Sequence, residues 1–176
     1  MQQGRIYFDG DVFCWVRSGG LFSATHILSA IRKHFQVSVF IPADFVHESP
    51  SLQAQHGLAP HEVIPLPFTR RVLLALKLLG LRPPGLKLTD SDVIFHTNTD
   101  VYRGVARQIC ICHDLLPLTS EGFYSFRDRQ ITHLQLRRMQ DPGVSVICHS
   151  HYVAGHVRCM AEVNGNRLVT VPLGLM

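Results

Sequence analysis

The run Ile109-Cys110-Ile111-Cys112-His113-Asp114-Leu115-Leu116-Pro117 holds the side chains best placed for chemistry. Its first half reads as a buried strand. It stops on a His-Asp pair, and a proline marks the loop beyond. Ligands of open α/β sheets bind just outside the carboxyl ends of the strands, where this histidine falls. Imidazole changes charge near neutral pH, so His113 is suited to move a proton or to bond a reacting group. The plainer alternative is a strand-end histidine bonded to nearby backbone. The stretch alone leaves both open.

Other residues are placed for chemistry in the same way. His96, His149 and His151 also fall at or after strand ends. No HxxxH or HExxH spacing joins them, so no metal site is expected. Asp9-Gly10-Asp11 follows the first strand, and paired aspartates there can hold Mg²⁺ or supply a nucleophile and an acid. That order resembles the first motif of haloacid-dehalogenase-type phosphatases, with Thr97-Asn98 imitating the second. No later strand ends in the acidic pair such a site needs, and the sixth ends in Cys148-His149-Ser150. Asp90-Ser91-Asp92 precedes its strand and reads as a solvated turn. Ser18-Gly19-Gly20 opens a helix, where free N–H groups can meet a phosphate. The triplet is neither GxGxxG nor a P-loop.

The elements that must position these residues alternate. Strands are expected at Arg5–Asp9, Val37–Ile41, Val63–Leu66, Val93–His96, Gln108–Cys112, Val144–Cys148 and Leu168–Val171. Between them lie a helix from Leu21 with apolar i, i+3, i+4 spacing, and helices at Thr69–Leu81, Phe126–Met139 and Tyr152–Val163. Residues 43–61, rich in Pro, Ser, His and Gly, read as a long surface loop. This order predicts a single Rossmann-like α/β domain with a mostly parallel sheet and helices on both faces.

Composition narrows the partners. Hydrophobic residues at 46% against 17% charged indicate a packed globular chain. A net charge of +4 suits an anionic ligand or membrane surface, but the basic residues are scattered, so no nucleic acid is expected. Five cysteines without a CxxC pair read as reduced core thiols of a cytoplasmic protein. The N-terminus lacks a signal peptide's apolar run. Helix Thr69–Leu81 carries Arg70, Arg71 and Lys77, which can meet lipid headgroups from the inner face of a membrane. The plainer reading, a sheet-packing helix with a basic start, is favoured, since such a sheet needs apolar helices.

Taken in order, four segments resemble the N-terminal domain of group-1 (family four) retaining glycosyltransferases of the GT-B fold. They are IYFDGDVF with RSGGLFSATHIL, then DVIFHTNTD, then ICICHDLLP, then VICHSHYVAGHV followed by RLVTVPLGL. The resemblance spans nearly all of residues 1–176. It implies transfer of a sugar from a nucleotide-sugar donor to a glycan or lipid-linked acceptor, with no further cofactor. It also implies that Gly19 and Gly20 approach the donor diphosphate. His113 and Asp114 would lie at the transferring sugar, His96, Thr97, Asn98 and Asp100 at the acceptor, and Ser150 in the cleft. His151 and Tyr152 depart from the family's pattern. The family's donor-binding second domain carries a Glu-x7-Glu pair, and no two glutamates here have that spacing. The expectation is therefore an acceptor-side half that needs a separate or missing C-terminal domain. Two other readings stay open: a phosphatase using Asp9 and Asp11, and a non-catalytic glycan- or partner-binding domain.

Overall fold

The computed structural model describes residues 4–14, 19–105, 107–120 and 122–172. Seven parallel strands lie in the order β3-β2-β1-β4-β5-β6-β7. They are β1 Ile6–Asp9, β2 Val37–Pro42, β3 Val63–Leu66, β4 Val93–His96, β5 Gln108–Cys112, β6 Val144–Cys148 and β7 Leu168–Thr170. The helices are α1 Gly19–Arg32, α2 Ser49–His56, α3 Arg70–Leu79, the short α4 Leu116–Thr119, α5 Phe126–Met139 and α6 His151–Ala161. This is a Rossmann-like α/β domain, as the alternation predicts.

Chain order reverses direction beside β1, so successive crossovers of one hand put helices on opposite faces. On one face Ala24 and Leu28 of α1 and Leu52 of α2 pack on Phe8, Val39 and Ile41. On the other, Leu73 of α3 packs with Tyr7, Phe40 and Ile94. There too, Leu136 and Met139 of α5 and Val157 of α6 pack on Cys110, Cys112 and Cys148. The Ile-Cys alternation of β5 thus sorts cysteines to the α5 side and isoleucines to the α1 side. Burial pushes the Cys110 thiol up, which keeps it protonated and inert. Cys159 is exposed on α6 and departs from the expectation of core thiols.

Residues 43–61 correct the surface-loop expectation. Ala43–Glu48 and Pro60–Glu62 form 3-10 turns around α2. Leu52 and Leu58 bury themselves against the sheet, and Gly57 ends α2 in the left-handed conformation at φ 62°. Two isolated leucines among polar residues carry too little periodicity to announce this helix. Residues 97–105 and 107 join β4 to β5 without a helix. The Gln108 side chain holds that crossover, accepting from Tyr102 N–H at 2.9 Å and donating to the Tyr102 carbonyl at 2.7 Å. Among the described residues no helix is long and apolar enough to cross a membrane.

Candidate functional site

The strand ends carry two distinct arrangements, one exposed and one buried. The exposed one is a cavity of about 200 Å³ at the carboxyl ends of β4 and β5. Asn98, His113, Asp114, Thr132 and Gln135 are among its lining residues. His113 Nε2 lies 2.8 Å from the Thr97 carbonyl, which can only accept, so Nε2 carries the hydrogen. In the neutral ring Nδ1 is then the atom left to accept. Asp114 Oδ1 accepts from Leu116 N–H at 3.0 Å and opens α4. Asn98 Oδ1 accepts from Asp100 N–H at 3.0 Å, and Asp100 Oδ1 accepts from Gln135 Nε2 at 2.7 Å. The loop after β4 is thereby tied to α5 across the cavity.

A second cavity, of about 410 Å³ and mainly apolar, lies on the other face between α1 and β4–β6. Phe22 and Ser23 of α1, Phe95, Ile147 and His149 line it. The His113 and His149 rings stand 5.0 Å apart between the two cavities. Burial and then the neighbouring His113 push His149 below the ordinary histidine value.

Of the expected site residues, the structure gathers Asn98, His113 and Asp114 around one cavity, with Thr97 and Asp100 bonded to its edge. Gly19 and Gly20 form the first turn of α1, just before the residues that line the second cavity. Ser18 lies outside the described residues. Ser150 proves to be the N-cap of α6, its Oγ accepting from Val153 N–H at 3.2 Å. Ser150→Ala is expected to lower folding stability by about 1 kcal/mol, with Ser150→Asn recovering most of it. Urea unfolding of the three proteins measures this. An unchanged alanine variant would remove the capping role.

His96 corrects its expected place at the acceptor. It is fully buried, with Nδ1 3.1 Å from Asp9 Oδ2 and Nε2 3.1 Å from Gln108 Oε1. Because Tyr102 N–H fixes that amide oxygen as an acceptor, both ring nitrogens of His96 face acceptors. A His96 so bound presents nothing to a ligand. The strand register explains the burial. Phe8 pairs with Phe95, so the next residues, Asp9 and His96, fall side by side beneath α3.

Around that pair is a charge cluster the sequence did not announce. Lys77 of α3 is buried, with Nζ 2.8 Å from Asp9 Oδ2 and 3.3 Å from Asp11 Oδ2. Arg70 Nε faces Asp11 Oδ1 at 3.3 Å. The other Asp9 oxygen accepts from Asp11 N–H at 3.2 Å. Burial alone would raise the Asp9 pKa, but the Lys77 charge and the His96 hydrogen bond outweigh it and hold the carboxyl well below its usual range. Gly10 fits between the two aspartates because a Cβ there would meet the Phe40 carbonyl oxygen at 2.6 Å. Both Asp9 oxygens are taken and Lys77 fills the space between the carboxylates. Asp9 is thus buried and paired with Lys77 and His96. Among the described residues no three His, Cys, Asp or Glu side chains converge as a metal-binding group.

The fold and site define a Rossmann-like α/β domain with a cavity at the carboxyl edge of a parallel sheet. Comparison with protein-family models gives no match, and comparison with curated proteins gives none either.

Proposed function

We propose that this chain is the acceptor-side domain of a retaining glycosyltransferase. It works with a donor-binding domain to move a sugar from a nucleoside diphosphate to a glycan or lipid-linked hydroxyl. In that reaction the bond from the anomeric carbon to the diphosphate oxygen breaks. The bond from the same carbon to the acceptor oxygen forms, and the acceptor's proton leaves with the diphosphate. The observation that carries the reading is the His113 ring. Its Nε2–H is committed to the Thr97 carbonyl, which leaves Nδ1 as the ring's acceptor in a residue that lines a cavity at the sheet's carboxyl edge. Such an atom holds a sugar hydroxyl in place. Helix N-termini favour anionic groups, and Gly19 and Gly20 stand in the first turn of α1. The ordered resemblance of the four sequence segments supports the same reading.

The test supplies a cognate donor-binding domain as a second chain, with nucleotide-sugar and glycan. Product with the donor's anomeric configuration, followed by proton NMR, is the expected result. A chain that binds glycan and the second domain yet yields no product would overturn transfer and favour a non-catalytic binding domain.

A further inference from the structure

His56 ends α2 inside the protein with nothing for its ring to bond. The residue is 8% exposed, and both ring nitrogens are buried without a hydrogen-bond partner. The Phe13 ring stands against it, with centroids 5.1 Å apart. Even the neutral imidazole leaves a donor and an acceptor unmet there. The backbone carbonyl of His56 accepts from the Arg32 guanidinium, which also donates to the Gly57 carbonyl at 2.9 Å. A fixed cation thus stands beside a ring that acid would make into a second one.

The groups around the ring offer that second charge no partner. Burial first, and then the Arg32 charge of α1, hold His56 below the ordinary histidine value. Glu62, in the turn after α2, is turned to Arg32 at 3.1 Å and to Ala59 N–H at 2.6 Å. From the turn Gly10–Cys14, Phe13 meets His56 with an uncharged ring. The segment's other titratable groups, Asp44, His47, Glu48 and His61, are exposed, so opening changes their surroundings little. The segment itself is lightly held. Leu52 and Leu58 are its buried apolar side chains, and a unit with so few anchors opens more readily than core strands. It follows the carboxyl end of β2, on the edge of the sheet where ligands of α/β folds bind.

We propose that His56 is an acid-sensitive latch, whose protonation releases α2 from the sheet and opens residues 49–58 at its carboxyl edge. The closed segment holds the ring neutral, and the open one lets it charge in water. Opening therefore takes up a proton. It is favoured by up to about ten-fold for each pH unit below the ordinary histidine value, until the folded value is reached. Above the ordinary value the latch stays shut. The device uses no residue of the His113 cavity, so it stands whether or not the chain transfers a sugar.

Native-state hydrogen exchange of the full chain, corrected for intrinsic rates, measures opening at about pH 7.5 and about pH 5.5, on either side of the ordinary histidine value. Protection of residues 49–58 should fall about ten-fold at the lower pH, while that of β4–β6 holds. In His56→Phe, which keeps an aromatic ring against Phe13 and cannot charge, the fall should disappear. Circular dichroism establishes that the variant is folded. NMR of the native chain should also find the His56 ring titrating below the ordinary histidine value, and this decides the matter should the variant not fold. Equal protection of residues 49–58 at both pH values overturns the proposal. So does a fall that persists in folded His56→Phe, or a His56 ring that titrates at or above the ordinary value.

Discussion

Lys77→Met is expected to cost about 3–5 kcal/mol of folding stability, because it strips the counter-charge from two buried carboxylates. Lys77 Nζ lies 2.8 Å from Asp9 and 3.3 Å from Asp11, and its side chain is 1% exposed. Methionine fills much the same volume, so the loss reports charge and not a cavity. Adding Asp9→Asn to the variant removes the orphaned charge and should recover a large part of the loss. Urea unfolding of the four proteins in the cycle isolates the pair.

The pH dependence carries the same signature. Asp9 is depressed in the folded state, so its contribution is present above the ordinary carboxylate range and is lost as pH falls through the folded value. Burial would lower the Lys77 value, but Asp9 and Asp11 outweigh it and raise it. The lysine's contribution is therefore present below its ordinary value and is lost only as pH rises through the folded one. The native chain should hold its stability across the neutral range and lose it in acid. In Lys77→Met the Lys77 charge no longer holds Asp9 down, and the acid loss should flatten. A variant that costs less than about 1 kcal/mol, with its acid limb unchanged, would show that the cluster contributes little.

His113→Ala should lower transfer by the reconstituted pair about 10²–10³-fold, the usual cost of one aligned hydrogen-bonding group in a reaction site. Its effect on stability should stay near 1 kcal/mol, since the ring gives the fold one backbone hydrogen bond. Two further variants divide the roles of the ring. Glutamine can place an amide N–H where Nε2 stands and keep the Thr97 bond, but it loses the Nδ1 acceptor. Asparagine can place its oxygen near Nδ1 and loses the Thr97 bond. Under the proposed mechanism asparagine retains more kcat than glutamine. A fully active glutamine variant would make His113 a support for the loop after β4 and nothing more.

Much of the architecture was legible locally. The Ile-Cys alternation of Ile109–Cys112 and the i, i+3, i+4 leucines and isoleucines from Leu21 each act within a few residues. Short-range sterics and burial suffice to read them. The loop at 43–61 was misread because α2 buries Leu52 in a hydrophobic cluster supplied by distant strands. Its own polar surface shows no period.

The site was legible only in part. His96 and His113 look alike in sequence, each a histidine ending an apolar strand. Pairing of β1 with β4 put Asp9 beside His96 and closed α3 over both, while β5 ends at an open cavity. Helix α3 shows the same division. Its sequence determined that it would be an amphipathic helix with basic residues. Which way it turned was decided by two carboxylates 66 and 68 positions before Lys77, whose burial without a cation would have been too costly. Local sequence determined the strands, their order and the strand-end position of His113. Tertiary structure alone decided which histidine is buried, which lines a cavity and which charges serve the core, because burial and pairing depend on neighbours distant in the chain.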